Sequence, residues 1–361
     1  MTGRARVGVI GTGWWATSYH LPTLAEHPHA ELVGVADLDR RKAEEAARLH
    51  GIPCSFDDHR SLLDLGLDAV VVATPHDTHF ALARDALEAG ADVLVEKPMV
   101  IEPDDARELV RLARRLGRRL HVGYPFPYTA HAQALRRLVE EGALGELLTA
   151  SGLFATSVLP LYRGVIDDAM HVSAGTLWPT GASTYSAPEH GGGQLLTQVT
   201  HCASLLLHLT GWQPRLVFAQ SSNYDTRVDV WDGLVFRTES GAIGTIASTG
   251  TVALHECRVE QYRLFGSEGQ AVLDTAAGTL RVDLYEGKTL EPSPLEPEEI
   301  YPAYAPASRL VDAFVGDEPV LVPGELGLLT VELLAAARES SAGDAPVALD
   351  LDEALLTPNR A

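Results

Sequence analysis

The sequence predicts an α/β protein in two parts: a doubly wound parallel sheet, then an α/β region built on a large, mostly antiparallel open sheet. Three observations carry that expectation. Up to residue 123, short apolar runs alternate with amphipathic stretches of helical period. Past that point the alternation stops, and residues 160–192 become irregular and rich in Gly, Pro and aromatic residues. From 215 to 284 the chain reads as strand after strand with turn signals between them. The expected division is 1–123 and 124–361.

In the first part the candidate strands are 7–10, 31–36, 69–73, 92–95 and 120–122. The intervening stretches 40–50 and 104–116 space apolar residues three and four apart, as one buried helix face requires. Strands joined through helices cross over and pair in parallel. The second part opens with a helix near 131–141 and a strand near 146–157, and a helical stretch at 194–209 follows the irregular segment. Among the later strands, 233–238 and 242–248 flank the turn Ser240-Gly241. Helices in this half suffice to cover one face of the sheet. Val235, Ile243 and Ile246 are therefore expected on an open face that favours self-association as a homo-dimer or tetramer. Residues 286–306 hold five prolines and many acids and read as an exposed connector. Helices at 308–315 and 324–340 close the chain, with the option of packing back on the first domain.

Composition excludes several classes of protein. The 361 residues suit two domains at ~150 residues each. With 46% hydrophobic and 21% charged residues, the chain can bury ordinary cores. A formal charge of −21 repels phosphate backbones and anionic lipid, which argues against nucleic acid and membrane partners. No apolar run approaches the ~20 residues that span a bilayer. The apolar stretch at 7–10 ends at Gly11, short of the ~7–15 residues of an export segment, so it reads as a strand. Cys54, Cys202 and Cys257 are too few and too scattered for a disulfide framework or a zinc site. No metal is expected, and the reducing cytoplasm is the expected compartment. Basic residues are 25 Arg against only three Lys, at 42, 97 and 288, so a lysine in a special position stands out.

Gly11-Thr12-Gly13-Trp14-Trp15-Ala16 fits G-x-G-x-x-G/A, directly after a strand and at the start of a helical segment. Gly11 permits a tight turn, Gly13 lets the backbone approach a pyrophosphate, and Ala16 allows close helix packing. The helix start supplies N–H donors to the anion. Asp37 ends the second strand, 26 residues past Gly11, where a carboxylate grips an adenosine ribose diol. The first part thus reads as a Rossmann dinucleotide-binding domain. A carboxylate repels a 2′-phosphate, so NAD is favoured over NADP. Arg40 and Arg41 could bind such a phosphate; the alternative is that they start a solvated helix face paired with Glu44 and Glu45.

Two further segments identify the chain. One runs Val71-Val72-Ala73-Thr74-Pro75-His76-Asp77-Thr78-His79 and continues at Gly90-Ala91-Asp92-Val93-Leu94-Val95-Glu96-Lys97-Pro98. The other is Gly191-Gly192-Gly193-Gln194-Leu195-Leu196-Thr197-Gln198-Val199-Thr200-His201. With the glycine fingerprint and the Gly123-Tyr124 junction, these resemble the Gfo/Idh/MocA family, named for glucose-fructose oxidoreductase, inositol dehydrogenase and a rhizopine-catabolism protein. The resemblance covers nearly the whole chain. It implies a Rossmann domain followed by an α/β domain with an open sheet, with substrate between them beside the nicotinamide. The family's catalytic lysine in E-K-P falls on Lys97, and the histidine of its glycine-rich segment falls on His201. The resemblance also places Thr74, Pro75, His76 and Glu96 near the cofactor. It implies oxidation of a secondary hydroxyl of a sugar, cyclitol or related polyol, or reduction of the ketone. The chain departs from the pattern at Thr197, where an acid is usual one helical turn before the histidine, and at Ser204, where a later acid is usual.

The chemistry agrees. Hydride loss from a carbinol carbon leaves an oxygen that must shed a proton, so a base is required. An imidazole suits that role near neutral pH, and an ammonium stabilises the developing oxyanion. Tyr124, Tyr162 and Trp178 are further candidates to line a polyol site, as are Asp167, Asp168, His171, Tyr185, Glu189 and His190. For each of those in the 160–192 stretch the alternative is a solvated loop, while Tyr124 begins the interdomain junction. His79 is expected to pack in its helix, and Trp14 and Trp15 in the interdomain cleft. Two other functions fit the same scaffold: a redox-neutral NAD-dependent lyase or glycoside-cleaving enzyme, and a non-catalytic cofactor-binding regulator.

Overall fold

The computed structural model describes residues 3–165, 181–253, 257–316 and 319–357. Six parallel strands form the first sheet: β1 (Ala5–Ile10), β2 (Ala30–Ala36), β3 (Cys54–Phe56), β4 (Ala69–Val72), β5 (Asp92–Val95) and β6 (Leu120–Val122), in the order β3-β2-β1-β4-β5-β6. β4 and β5 are buried at every position, as strands covered on both faces must be. The strand order reverses between β1 and β4, and ligands of such sheets bind outside the carboxyl ends at that point. The short β3 has no counterpart among the expected strands.

The second sheet has nine strands. Its middle is β7 (Leu147–Ala155), paired in parallel with β10 (Ile243–Thr249) and antiparallel with β11 (Val259–Gly266). β9 (Trp231–Thr238) and β8 (Pro214–Ser222) extend it on one side, β12 (Gly269–Asp274) and β13 (Thr279–Leu284) on the other, with two-residue strands at both edges. Along β9, exposed and buried residues alternate strictly. The inner face packs on the helices Thr200–Thr210 and Gly324–Gly343, through Leu205, Leu206, Leu329 and Leu333. Val235 and Ile243 are on the outer face, 39% and 44% exposed. Ile246 is not with them. It is three residues from Ile243, so the pleat turns it inward, where it is 2% exposed.

The connector is less exposed than its composition suggests. After the short helix Pro297–Ile300, Tyr301 turns inward, with its ring centroid 5.2 Å from that of Phe126 and 6.2 Å from that of Trp15. The helix Ala305–Gly316 then returns to the first sheet, where Ala307, Leu310 and Val311 share a core with Val7, Val9, Val71 and Leu94. The helix Gly324–Gly343 touches both cores: Leu328 and Val331 lie with Met99 and Val122, and Leu329 and Leu333 lie in the second. Val122 donates its N–H to Val322 O at 3.0 Å, so β6 is bonded to the approach of that helix. Among the described residues no helix is long and apolar enough to cross a membrane.

Candidate active site

At the end of β1, Gly11 has φ +93°, and a Cβ there would lie 2.4 Å from Ala73 O. Only glycine fits that turn. A Cβ on Gly13 would meet nothing within 4 Å, so the loop's outer side is open to a bound group. The helical segment starting at Trp14 contains a π-turn, Ala16–His20, and continues as Leu21–Glu26. Asp37 Oδ2 accepts from Thr12 N at 2.8 Å and Thr12 Oγ1 at 3.0 Å, and Oδ1 accepts from Asp39 N at 2.9 Å. The carboxylate thus anchors the glycine loop while remaining half-buried at its rim. Arg40 pairs with Glu44 at 2.9 Å. Arg41 does not take Glu45, which pairs with Arg48; it turns back on Asp39 at 3.0 Å.

On the neighbouring strands, the loop after β4 carries Thr74, Pro75 and His76. Thr74 Oγ1 lies 2.7 Å from Thr78 Oγ1. His79 is buried with its two ring nitrogens 2.9 Å from Thr74 O and Pro98 O, so it ties this loop to the one after β5. His76 donates from Nδ1 to Gly191 O at 3.1 Å, which leaves its Nε2 as the lone-pair nitrogen. His190 Nδ1 and Asp77 Oδ2, at 2.9 Å, add a second clasp between the same segments, while Glu189 pairs with Arg227 on the surface.

Lys97 follows β5, half-buried, and donates from Nζ to Thr197 O at 3.2 Å. Burial lowers its ammonium to about 8, with the Glu96 carboxylate pulling the other way. His201 is 5% exposed and lies parallel to Phe154, with ring centroids 5.9 Å apart. Phe126 and Tyr124 meet it edge-on. Burial first, and the charge of Lys97 second, hold this imidazole well below its usual range. Burial, His79 and Lys97 do the same to His76. The site therefore holds one amine poised near neutrality within the field of two neutral imidazoles.

Several sequence candidates play other parts here. A second π-turn, Leu195–Val199, precedes the helix of His201 and breaks the four-residue register that would put Thr197 beside the ring. Instead Thr197 Oγ1 donates to Gly193 O at 2.7 Å and meets Tyr162 OH at 2.8 Å. Tyr162 donates to Gln194 Oε1, Gln194 Nε2 donates to Ser248 Oγ, and Ser248 donates to Phe154 O. Tyr162 and Thr197 thus belong to a buried network that braces the helix start. Tyr124 is buried behind His201 with its hydroxyl 2.7 Å from Thr200 Oγ1. Ser204 donates to His201 O, and His201 Nδ1 has no partner among the described residues. Trp178, Asp167, Asp168 and His171 lie outside the described residues.

Glu96 has internal partners for its carboxylate that the sequence did not signal. Expected near the cofactor, it is buried: Oε1 accepts from Trp15 Nε1 and His20 Nε2, both at 2.8 Å, and Oε2 accepts from Lys97 N at 3.1 Å. Both oxygens therefore serve internal donors. His20 carried no sequence signal, because the π-turn that delivers it adds a residue to the helical repeat. Tyr301, edge-on to Trp15, and Tyr19, tilted against it, were also missed; Tyr301 stood in a proline-rich stretch that read as surface. Among the described residues no group of three or more His, Cys, Asp or Glu could hold a metal ion.

A glycine loop at the switch point, with an amine and imidazoles at the ends of the adjacent strands, defines a dinucleotide-dependent oxidoreductase. Residues 5–124 match the oxidoreductase family with an NAD-binding Rossmann fold, and residues 132–272 match the Gfo/Idh/MocA C-terminal domain. The chain belongs to the Gfo/Idh/MocA family of oxidoreductases. It is 31% identical to dTDP-3,4-didehydro-2,6-dideoxy-alpha-D-glucose 3-reductase of Streptomyces violaceoruber, over 86% of this chain and 84% of that one. It is 28% identical to trans-1,2-dihydrobenzene-1,2-diol dehydrogenase of Oryctolagus cuniculus, over 74% of each. Levoglucosan dehydrogenase, solved with NADH and levoglucosan, has the same fold, with TM-score 0.79 at 19% identity over 96% of this chain and 100% of that one.

Proposed function

We propose that the protein is an NAD-dependent dehydrogenase that moves a hydride between nicotinamide and a secondary hydroxyl, or the matching ketone, of a sugar, cyclitol or related polyol. The observation that carries this is Lys97, a desolvated amine just past β5 within the field of two neutral imidazoles. The N–H groups at the start of the helical segment and the open side of Gly13 would hold the pyrophosphate, Asp37 the adenosine ribose, and the 74–76 loop the nicotinamide end. The dinucleotide supplies the hydride acceptor. Lys97, as free amine, takes the hydroxyl proton; as ammonium, it stabilises oxyanion character on the same oxygen. His201, wedged among Phe126, Phe154 and Tyr124, offers a fixed neutral imidazole to the substrate. The occupied guanidinium groups of Arg40 and Arg41 support NAD over NADP. Three free cysteines suit the reducing cytoplasm.

Incubating the protein with NAD and a panel of sugars and cyclitols tests the assignment. Steady accumulation of NADH with at least one of them is expected. Substrate conversion without net NADH would instead establish the redox-neutral lyase or glycoside-cleaving reaction.

The rate of alcohol oxidation should rise with pH through about 8, because the free amine is the base, and the rate of ketone reduction should fall through the same range. A pH profile of kcat/KM in both directions checks the opposing limbs.

We also expect a homo-oligomer on the outer face of the second sheet. There Leu153, Trp231, Val235, Ile243 and Phe265 are exposed on neighbouring strands, and exposed apolar side chains grouped on one face favour self-association. Light scattering at micromolar concentration should give a multiple of 38.7 kDa, and a mass of one chain would reject the interface. Ile243→Arg should shift the assembly toward single chains.

A further inference from the structure

Glu96 is buried and the adjacent, oppositely charged Lys97 half-buried, the setting in which a carboxylate and an ammonium normally close into an ion pair. They do not. Among the described residues, Lys97 Nζ bonds to the Thr197 carbonyl and has no carboxylate oxygen within 4.0 Å. Glu96 is turned away by two donors from the first turns after the glycine loop, Trp15 Nε1 and His20 Nε2, both on Oε1 at 2.8 Å. His20 is completely buried, and the π-turn Ala16–His20 sets its position along the helix. On the far side, a Cβ at Gly123 would lie 2.6 Å from Oε1, so the carboxylate sits in a cradle that has no room for a side chain.

We propose that His20 is a positioning residue: together with Trp15 it tethers the Glu96 carboxylate and so keeps Lys97 free of an ion pair with its own neighbour. The reading rests on Lys97 as the proton-handling group. A lysine locked to a carboxylate stays an ammonium and is a poor base. The tether leaves Lys97 under the desolvation that lowers its ammonium to about 8. His79, Tyr124, Tyr185 and Tyr301 also lie within the field of Glu96. His76 and His201 lie within that of Lys97. None of the six is an anion near neutral pH, so among the described residues Glu96 is the carboxylate that a released tether would bring to the amine. The tether also joins the dinucleotide loop to the proton-handling lysine through one carboxylate.

The test is direct because the chain has only three lysines. Isotope-labelled lysine gives three side-chain resonances, and Lys97→Met identifies that of Lys97. In the wild type that signal should titrate near 8. In His20→Leu it should move upward by about one unit or more, which leaves about tenfold less free amine at neutral pH. Trp15→Phe, which removes one of the two donors at a half-buried position, should move it in the same direction by less. His20→Gln, whose amide can still donate to Glu96, should restore a midpoint near the wild-type value. A Lys97 midpoint that is unchanged or lowered in Trp15→Phe, or in a folded His20→Leu, overturns the proposal. The titration needs no substrate and no turnover, so it stays readable even if no sugar or cyclitol is oxidised.

Discussion

Lys97→Ala should bind NADH almost as the wild type does and turn over about a hundred to a thousand times more slowly. The glycine loop runs from Gly11 to Ala16 after β1, whereas Lys97 follows β5, two strands away, with its Nζ on Thr197 O, so the substitution is expected to leave the cofactor cradle whole. The loss falls on kcat because the ammonium meets its charge partner only as oxyanion character grows. Removing one such preorganised donor costs about 3–4 kcal/mol. His201→Ala should lose less, since among the described residues its Nδ1 has no partner to stabilise an imidazolium and Thr197 is committed to Gly193 and Tyr162. NADH fluorescence titration and steady-state kinetics measure the two halves. A Lys97→Ala protein keeping more than about a tenth of wild-type kcat would refute the role, on the scale of single transition-state donors.

A second large effect is expected at Asp37. Wild-type protein should bind NADH more tightly than NADPH, and Asp37→Ala should shift that preference about ten- to a hundredfold toward NADPH, about 1.5–3 kcal/mol. The geometry adds a complication. The same carboxylate accepts from Thr12 N, Thr12 Oγ1 and Asp39 N, so alanine also frees the glycine loop and weakens both dinucleotides. Asp37→Asn separates the effects: it removes the charge yet keeps an oxygen for Thr12. Preference should shift in both variants, and overall affinity should drop mainly in the alanine one. Tighter NADPH binding by the wild type would overturn the assignment and make Arg40 and Arg41 phosphate ligands.

Much of the first sheet was legible because a strand buried on both faces must be an unbroken apolar run, as Val70–Val72 is. Gly11 was legible because no other residue fits a φ of +93° against Ala73 O, and Lys97 because lysine is so rare in this chain. What escaped depends on registers that no period reports. Each of the two π-turns inserts a residue into a helix: one delivers His20 to Glu96, the other takes Thr197 away from His201. The resemblance puts Glu96 near the cofactor, and only three-dimensional placement shows that its oxygens already accept from Trp15, His20 and the Lys97 backbone. Ile246 was assigned to the wrong face because its spacing from Ile243 is odd and a pleat has period two. Tyr301 was hidden by its neighbours, since prolines and acids around it describe a surface while the ring itself packs between Trp15 and Phe126.

The bond from Val122 N to Val322 O has a consequence for biosynthesis. The two residues are roughly two hundred positions apart, and ribosomes add ~5–20 residues per second. A nascent chain therefore completes β6 about 10–40 seconds before the segment that bonds its edge, and the helix that covers Met99 and Val122, can leave the exit tunnel. An unpaired edge strand beside bare apolar surface is what aggregation selects for. The first third of the molecule must wait for its own carboxyl-terminal segment, and premature termination near residue 300 would release a sheet without the helices that cover it.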